Sequence, residues 1–427
     1  MSSRAEFPEV VRRDATMSNQ GRLSSHRVVF NIVLVPDVTL FQYPKPHCDP
    51  IIGRSNDNHD RQHAPSIATL AGDLSRLSVE RCIAELRAAR PVLMHDAGDI
   101  WLLASAENAD AQLISYFRHL SGAALVLSAP RLRHLGLKTD QPQGFDLTGM
   151  DDRRIQAYCQ SVTTDLPTNH VDTQSAAGPA IDLMKRAQLM PAALLARIDK
   201  TSGLAGLMSV DVRDISGYHD RIVQTLAIAS RARVPLIDST VTDFVVFHGG
   251  DGLKDQVAIV IGDPDPSRPT PVRLHSACLT GDLFGSLKCD CGEQLRLAIQ
   301  RIAELGGGVL LYLDQEGRGI GLRSKIRTYR LQEDDHDTVD SDAILGYGPD
   351  ERKYGIAGRM LELLGFSQIV MLTNNPDKIG AMQSAGLQIV GTECLLGTVN
   401  RHNRKYLATK AARAGHRLDK LRLTGSD

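Results

Sequence analysis

At 427 residues the chain is long enough for two or three domains with separate cores, since a single core rarely grows much past about 250 residues. The 49 Lys and Arg against 50 Asp and Glu leave a formal net charge of -1, which excludes a global field drawing the protein onto nucleic acid or anionic lipid, so any anion site must be local. No run approaches the roughly 20 apolar residues that cross a bilayer, Met1–Asn19 has no apolar h-region, and seven cysteines are too odd and sparse a set for a disulfide framework. A cytoplasmic enzyme with reduced thiols and no membrane contact is expected.

Residues 1–70 mix Arg, Ser, Asn, Asp, His and Pro around one apolar strand candidate, Val28–Leu34, and read as an N-terminal arm. From Ser78 a helical stretch runs to Arg90, followed by a strand-like Pro91–Met94, a turn at Ala97-Gly98-Asp99 and the apolar run Ile100–Ala104. That alternation predicts a mixed α/β domain over residues 71–233. Within it Gln141–Gly178 is polar and predicts a long loop before a helix from about Pro179 to Leu189.

A second domain is expected over residues 234–427. It opens with a β-hairpin-like passage, Gly250–Pro271, whose end Asp263–Pro269 is too proline-rich for a central strand. A helix is then expected over Glu293–Leu305, where Leu295, Ala298, Ile299, Ile302 and Leu305 recur at helical spacing, and Gly306-Gly307-Gly308 ends it before the buried-strand run Val309–Leu313. The pattern repeats with a helix at Ile356–Leu364, Gly365 and a strand at Gln368–Leu372. It repeats again with Lys378–Ala385, Gly386 and Leu387–Val390. Helices feeding strands predict an α/β domain with loops gathered at the strand ends.

Cys278, Cys289 and Cys291 fall within fourteen residues. Three thiolates suit Zn²⁺, and three protein ligands leave a fourth tetrahedral position for water, whose pKa falls from about 15.7 toward 7 on binding. That ligand count favours catalysis. The alternative is a structural zinc with His275 or Asp290 as fourth ligand. Cys48, Cys82, Cys159 and Cys394 are isolated and read as ordinary small apolar or surface residues.

The stretch Val272-Arg273-Leu274-His275-Ser276-Ala277-Cys278-Leu279-Thr280-Gly281-Asp282, followed by Ser286-Leu287-Lys288-Cys289-Asp290-Cys291-Gly292, resembles the zinc segment of GTP cyclohydrolase II. The resemblance continues in family order through Gln315–Leu322, Lys325–Tyr329, Asp337-Thr338-Val339, Leu345-Gly346-Tyr347 with Asp350-Glu351-Arg352, Thr373–Pro376 with Lys378, and the tail Tyr406-Leu407 with Thr409-Lys410. It implies one Zn²⁺ per chain on the three cysteines, a nucleotide substrate, and a homodimer. Carried over residue by residue, it implies Asp350 as proton acceptor, Arg352 as a nucleophile at phosphorus and Tyr329 as an active-site tyrosine. A guanidinium is essentially always protonated, so a phosphate clamp is the alternative for Arg352. Arg273, Arg318 and Lys378 match phosphate ligands, and Gln294, Glu316, Thr338 and Thr373 match nucleotide contacts. His275, Ser276 and Gly317 complete the implied substrate-binding set.

Two positions depart from the family pattern. Ala277 stands for the usual Glu before the first cysteine, and Asp314 for the usual Arg before Gln315-Glu316-Gly317. An aspartate near a triphosphate would be unfavourable, which favours a less phosphorylated ligand. Arg81–Ala106 and Ala176–Ile198 resemble an eroded 3,4-dihydroxy-2-butanone 4-phosphate synthase domain that keeps only Gly98-Asp99 of its acidic loop, so no second activity is expected there. A non-catalytic domain ahead of a cyclohydrolase core resembles the branch associated with uracil catabolism. The preferred expectation is therefore hydrolytic opening of the uracil ring of UMP to a ureido product. GTP, attacked at C8 with loss of formate and diphosphate, is the alternative, and an inactive nucleotide-binding regulator is a third reading.

Overall fold

A computed structural model describes residues 73–199, 203–249, 255–404 and 407–408. The chain divides into two units, Met1–Ala64 and Pro65–Asp427. All described residues belong to the second unit, so the arm, its strand candidate Val28–Leu34, Cys48 and the tail residues Tyr406, Thr409 and Lys410 lie outside them.

The first helix among the described residues spans Leu74–Arg87, beginning ahead of Ser78 because Asp73 caps it through Ser75 N at 3.0 Å. Val79, Cys82, Ile83 and Leu86 form its buried stripe. Seven strands follow: Val92–Asp96 (β1), Asp99–Ser105 (β2), Ala124–Leu127 (β3), Gln143–Asp146 (β4), His170–Val171 (β5), Ala192–Arg197 (β6) and Ser209–Asp211 (β7). They make one sheet in the order β5-β4-β3-β6-β2-β1-β7. Helices Leu74–Arg87 and Ala177–Arg186 cover one face around Met94, Leu103 and Leu195.

The polar segment 141–178 is not the expected loop. It holds β4, β5 and a helix, Asp152–Gln160, capped by Asp151 and burying Ile155, Tyr158 and Cys159. Those side chains sit at i, i+3 and i+4, a stripe too narrow to stand out from polar surroundings until the sheet packs against it.

A second sheet comprises Ala227–Arg233 (β8), Thr242–His248 (β9), Gln256–Gly262 (β10), Thr270–Ser276 (β11), Gly307–Leu313 (β12), Gln368–Leu372 (β13) and Gln388–Glu393 (β14). Its order is β14-β13-β11-β12-β10-β9-β8, with β11 parallel to β12 and β13. The expected hairpin through 250–271 does not close on itself: β12 lies between β10 and β11, and β10 pairs antiparallel with both β9 and β12. β8, which falls inside residues 71–233, pairs with β9 and so belongs to this second sheet.

The parallel strands β11, β12 and β13 end at Ser276, Leu313 and Leu372, and the cysteine, Gln-Glu-Gly-Arg and Thr-Asn-Asn segments leave from those ends. This is the edge at which open α/β sheets gather their ligand loops. Ile320, Leu345 and Tyr347 from that edge pack into the outer core of the first sheet with Leu102, Leu125 and Met190, joining the two sheets through one apolar cluster.

Candidate functional site

Cys278 leaves the end of β11, and Cys291 opens the Cys291–Glu304 helix with Cys289 just ahead of it. Their three sulphurs lie within 4.8 Å of one another, with Cys278 Sγ 3.7 Å from Cys289 Sγ. Three soft donors so gathered fit a thiophilic metal such as zinc. The backbone makes room for them. A Cβ on Gly281 would stand 2.9 Å from Cys289 Sγ and 3.0 Å from Cys278 Sγ, so only glycine closes the turn over the sulphurs. Neither proposed fourth ligand joins them: His275 Nε2 meets both oxygens of Asp282 at 3.1 Å, and Asp290 accepts from Gln294 Nε2 at 2.5 Å. Burial holds the His275 imidazole below its usual range and therefore neutral.

Lys325 is the cation of this cluster. Its Nζ donates to Glu316 Oε1 at 2.7 Å, Thr280 Oγ1 at 3.0 Å and Cys278 Sγ at 3.1 Å. The other oxygen of Glu316 accepts from Leu279 N at 2.7 Å, so one carboxylate ties the β12 loop to the cysteine loop. The Cys289 and Cys291 thiols, then the Lys325 ammonium, hold Cys278 well below the ordinary thiol range. Asp282 is a second tie, accepting from Cys278 N at 2.9 Å and from Tyr312 Oη at 2.9 Å. Lys325, Thr280, Gly281 and Asp282 all stand in the motifs quoted above. Thr280, Gly281 and Asp282 reach Cys278 from within four residues of it, whereas nothing in the spacing marks Lys325, because its contact with the sulphur crosses between strand ends.

One cavity beside the sulphurs is lined by every predicted site residue except Asp350: the three cysteines, Arg273, His275, Ser276, Gln294, Glu316, Gly317, Arg318, Tyr329, Thr338, Arg352, Thr373 and Lys378. Asp350 reaches it through Arg352, whose Nε lies 2.9 Å and 3.1 Å from its two oxygens. Burial raises Asp350, but the Arg352 hydrogen bonds and charge outweigh it and hold the carboxyl below its usual range. The expected phosphate ligands are partly committed elsewhere. Arg273 donates to Leu372 O at 2.9 Å and Gln294 Oε1 at 2.6 Å, and Lys378 to Leu274 O at 2.8 Å. Arg273 and Ser276 line the cavity, and their Nε and Oγ atoms are buried without a hydrogen-bond partner. Tyr329 lies beside two ammonium groups, Lys288 Nζ at 5.1 Å and Lys325 Nζ at 5.5 Å from its ring centre.

Arg318 sits at φ 63°, a left-handed conformation that costs a non-glycine residue of order 1–3 kcal/mol. Its own contacts hold it there: its carbonyl accepts from Glu351 N at 3.0 Å and its Nη1 donates to Pro349 O at 3.1 Å. Asp342 Oδ2 lies 3.9 Å from the same guanidinium. Burial pushes the Asp342 carboxyl up to about 8 against the pull of Arg318. The folded protein therefore binds this proton more tightly than the unfolded chain, whose carboxyl titrates near about 3.9. The contribution is full at low pH and is lost as pH rises from about 4 through 8. Urea midpoints taken from pH 5 to 9 should show Asp342→Asn gaining on the wild type as pH rises. Parallel pH profiles would show that Asp342 does not carry this dependence.

The sequence profile of "GTP cyclohydrolase II" matches residues 228–394. A GTP cyclohydrolase-2 of Xylella fastidiosa is 40% identical over 356 residues, covering 82% of this chain and 89% of the relative. This chain belongs to the GTP cyclohydrolase II family. It is a hydrolase acting on C–N bonds of a nucleotide base ring. A GTP cyclohydrolase-2 of Azospirillum brasilense is 38% identical over 375 residues, 83% of this chain and 97% of the relative. The riboflavin biosynthesis protein RibBA of Phocaeicola vulgatus is 38% identical over 252 residues, 56% of this chain and 62% of its own.

These relatives lend no support to the uracil-nucleotide expectation. An alignment of 356 residues cannot be contained in the segment after residue 228, so a protein named GTP cyclohydrolase-2 shares much of the N-terminal part as well. The N-terminal part is therefore no mark of a uracil branch. The charge argument from Asp314 also weakens. Asp314 is absent from the lining of the cysteine cavity and lines a separate cavity of about 310 Å³, alongside Lys185, Arg186 and Lys353. Ala277 does line the cysteine cavity, and its N–H donates to Leu313 O at 2.8 Å.

Proposed function

We propose that this protein hydrolytically opens the imidazole ring of GTP, releasing formate and diphosphate, and that it serves riboflavin biosynthesis. The observation that carries the reading is the convergence of three cysteine sulphurs, Glu316 and the cations Arg318, Arg352 and Lys378 on one cavity. The near full-length likeness to proteins named GTP cyclohydrolase-2 favours GTP over UMP. The position of Asp314 outside that cavity's lining weakens the charge objection to a triphosphate.

Cys278, Cys289 and Cys291 would hold one zinc, which when bound supplies Lewis acidity and makes water available as a nucleophile at neutral pH. Around it the chain's own groups bind and orient. Glu316 spends one lone pair of each oxygen on Lys325 and Leu279, and a carboxylate has about four, so it still accepts from a base N–H. Arg273 Nε and Ser276 Oγ are the unsatisfied polar atoms that a bound nucleotide would engage. Arg352, charged and gripped by an ionised Asp350, acts in this reading as a phosphate clamp rather than a nucleophile. An arginine so paired has no reason to lose its proton. The N-terminal part carries no second activity in this reading: Gly98 lies in the β1–β2 turn, and Asp99 is spent on Arg197 at 2.8 Å.

Incubating zinc-loaded protein separately with GTP and UMP tests the assignment. Formate and diphosphate should appear from GTP, and the ultraviolet absorbance of UMP should stay constant. Loss of uracil absorbance without GTP turnover would overturn it, and silence with both nucleotides would leave the regulator reading ahead.

A further inference from the structure

The loop that carries Asp350 and Arg352 has no regular structure of its own between the helices Thr338–Ile344 and Gly355–Leu363. Left to itself such a segment would be among the least ordered parts of the fold. Arg318 and Gln315 anchor it from the second-sheet half, at Glu351 N, Pro349 O and Lys353 O, and further anchors come from the first-sheet half. Ser128 Oγ donates to Gly346 O at 2.6 Å, Arg131 Nη1 to Ile344 O at 2.9 Å, and Tyr347 Oη to Leu189 O at 2.8 Å. Nearest the chemistry, Lys185 Nζ on the Ala177–Arg186 helix donates to Glu351 Oε1 at 2.6 Å, across 166 residues of chain. The same oxygen accepts from Gly348 N at 2.7 Å, so Glu351 also pins the start of its own loop.

Glu351 stands between Asp350 and Arg352 and faces the other way. It lines the cavity shared with Lys185, Asp182 and His219, whereas Arg352 reaches both that cavity and the one holding the cysteines. A pull on Glu351 from the first-sheet half therefore acts on the residue next to Arg352, whose flanking backbone is also held by Arg318 O and Gln315 Nε2 from the β12 loop. On the other side the loop rests against the backbone after β12: a Cβ on Gly319 would lie 2.9 Å from the Glu351 carbonyl carbon. A displaced Glu351 has no slack there.

We propose that Lys185 is a positioning residue for the ring-opening reaction. Through Glu351 it fixes the Asp350–Arg352 loop, and this gives the otherwise non-catalytic N-terminal half a part in turnover. The assignment rests on the reading of Arg352 as a group that touches the nucleotide phosphates. Lys185 and Glu351 are both partly exposed, with side-chain exposures of 26% and 18%, so neutral replacements at either position should still fold.

The test compares Lys185→Met, Glu351→Gln, the double variant, Lys185→Arg and Arg352→Ala with the wild type. Each is zinc-loaded, with zinc content measured and GTP as substrate, at a temperature well below every melting point. Misplacing a reacting group by about 1 Å can cost about 100-fold, so Lys185→Met is expected to lower kcat by about 10- to 100-fold. KM for GTP should stay within about twofold, because the rest of the cavity wall still holds the nucleotide. Glu351→Gln should match that loss, the double variant should lose no more than either single variant, and Lys185→Arg should recover most of kcat. Wild-type kcat in Lys185→Met beside an inactive Arg352→Ala overturns the positioning role and leaves the clamp standing. Full turnover by Arg352→Ala instead overturns the clamp reading on which the proposal rests. A Lys185→Arg variant as slow as Lys185→Met, or additive losses in the double variant, would also sink it.

Discussion

Cys289→Ala is expected to lose its metal and its turnover together. Cys289 is one of three sulphurs gathered within 4.8 Å, and Gly281 leaves just enough room for them, so no neighbouring side chain can replace a missing ligand. His275 and Asp290, the other candidate ligands, are held by Asp282 and Gln294. Disturbing even an outer partner of a metal ligand typically costs about 10- to 100-fold, so loss of a ligand itself should exceed about 100-fold in zinc affinity and in formate release from GTP. The replaced side chain is small and buried, so melting measured alongside should separate loss of metal from loss of fold. Full activity in a metal-free Cys289→Ala protein would end the zinc mechanism.

The second large effect is expected from Lys325→Met. Lys325 and Glu316 form a 2.7 Å ion pair with side-chain exposures of 9% and 10%, so solvent screens it little. Removing one partner of such a pair strands the other charge, at a typical cost of about 3–5 kcal/mol. Three thiolates around a divalent ion would also carry a net negative charge, and Lys325 Nζ, 3.1 Å from Cys278 Sγ, is placed to balance it. Urea unfolding and zinc titration should both register the change. The Arg330–Glu333 pair, with exposures of 74% and 53%, is the matched control, and Arg330→Met should behave as wild type. A Lys325→Met protein as stable as the wild type would show that the cluster does not depend on this charge.

Much of the second sheet was legible because its signals are local. The apolar stripe ending in Ile302 and Leu305, and the glycine stops at Gly365 and Gly386, placed the helices Cys291–Glu304, Gly355–Leu363 and Pro376–Ser384 to within two residues. The helix Asp152–Gln160 was not legible, because three buried side chains in a polar stretch gain their meaning only from the sheet they face. Nor was the insertion of β12 between β10 and β11, since antiparallel and parallel partners present the same apolar run to a reader of the chain. Asp314 misled for a related reason: its neighbours in sequence line the cysteine cavity, but its own side of the β12 loop faces the other way.

Taken alone, the sequence singled out the candidate metal ligands: three thiols in a tight span, with family motifs following in order, restrict the donor set whatever the fold does. It also determined which half of the chain carries the site. Tertiary structure alone decided the long-range partners of that site: Lys325 with Cys278, Glu316 with Leu279 N, and Lys185 with Glu351. The physical reason is distance along the chain. Helix and turn signals act over a few residues, whereas an ion pair is chosen by which strand ends meet, and that depends on strand order across the whole sheet.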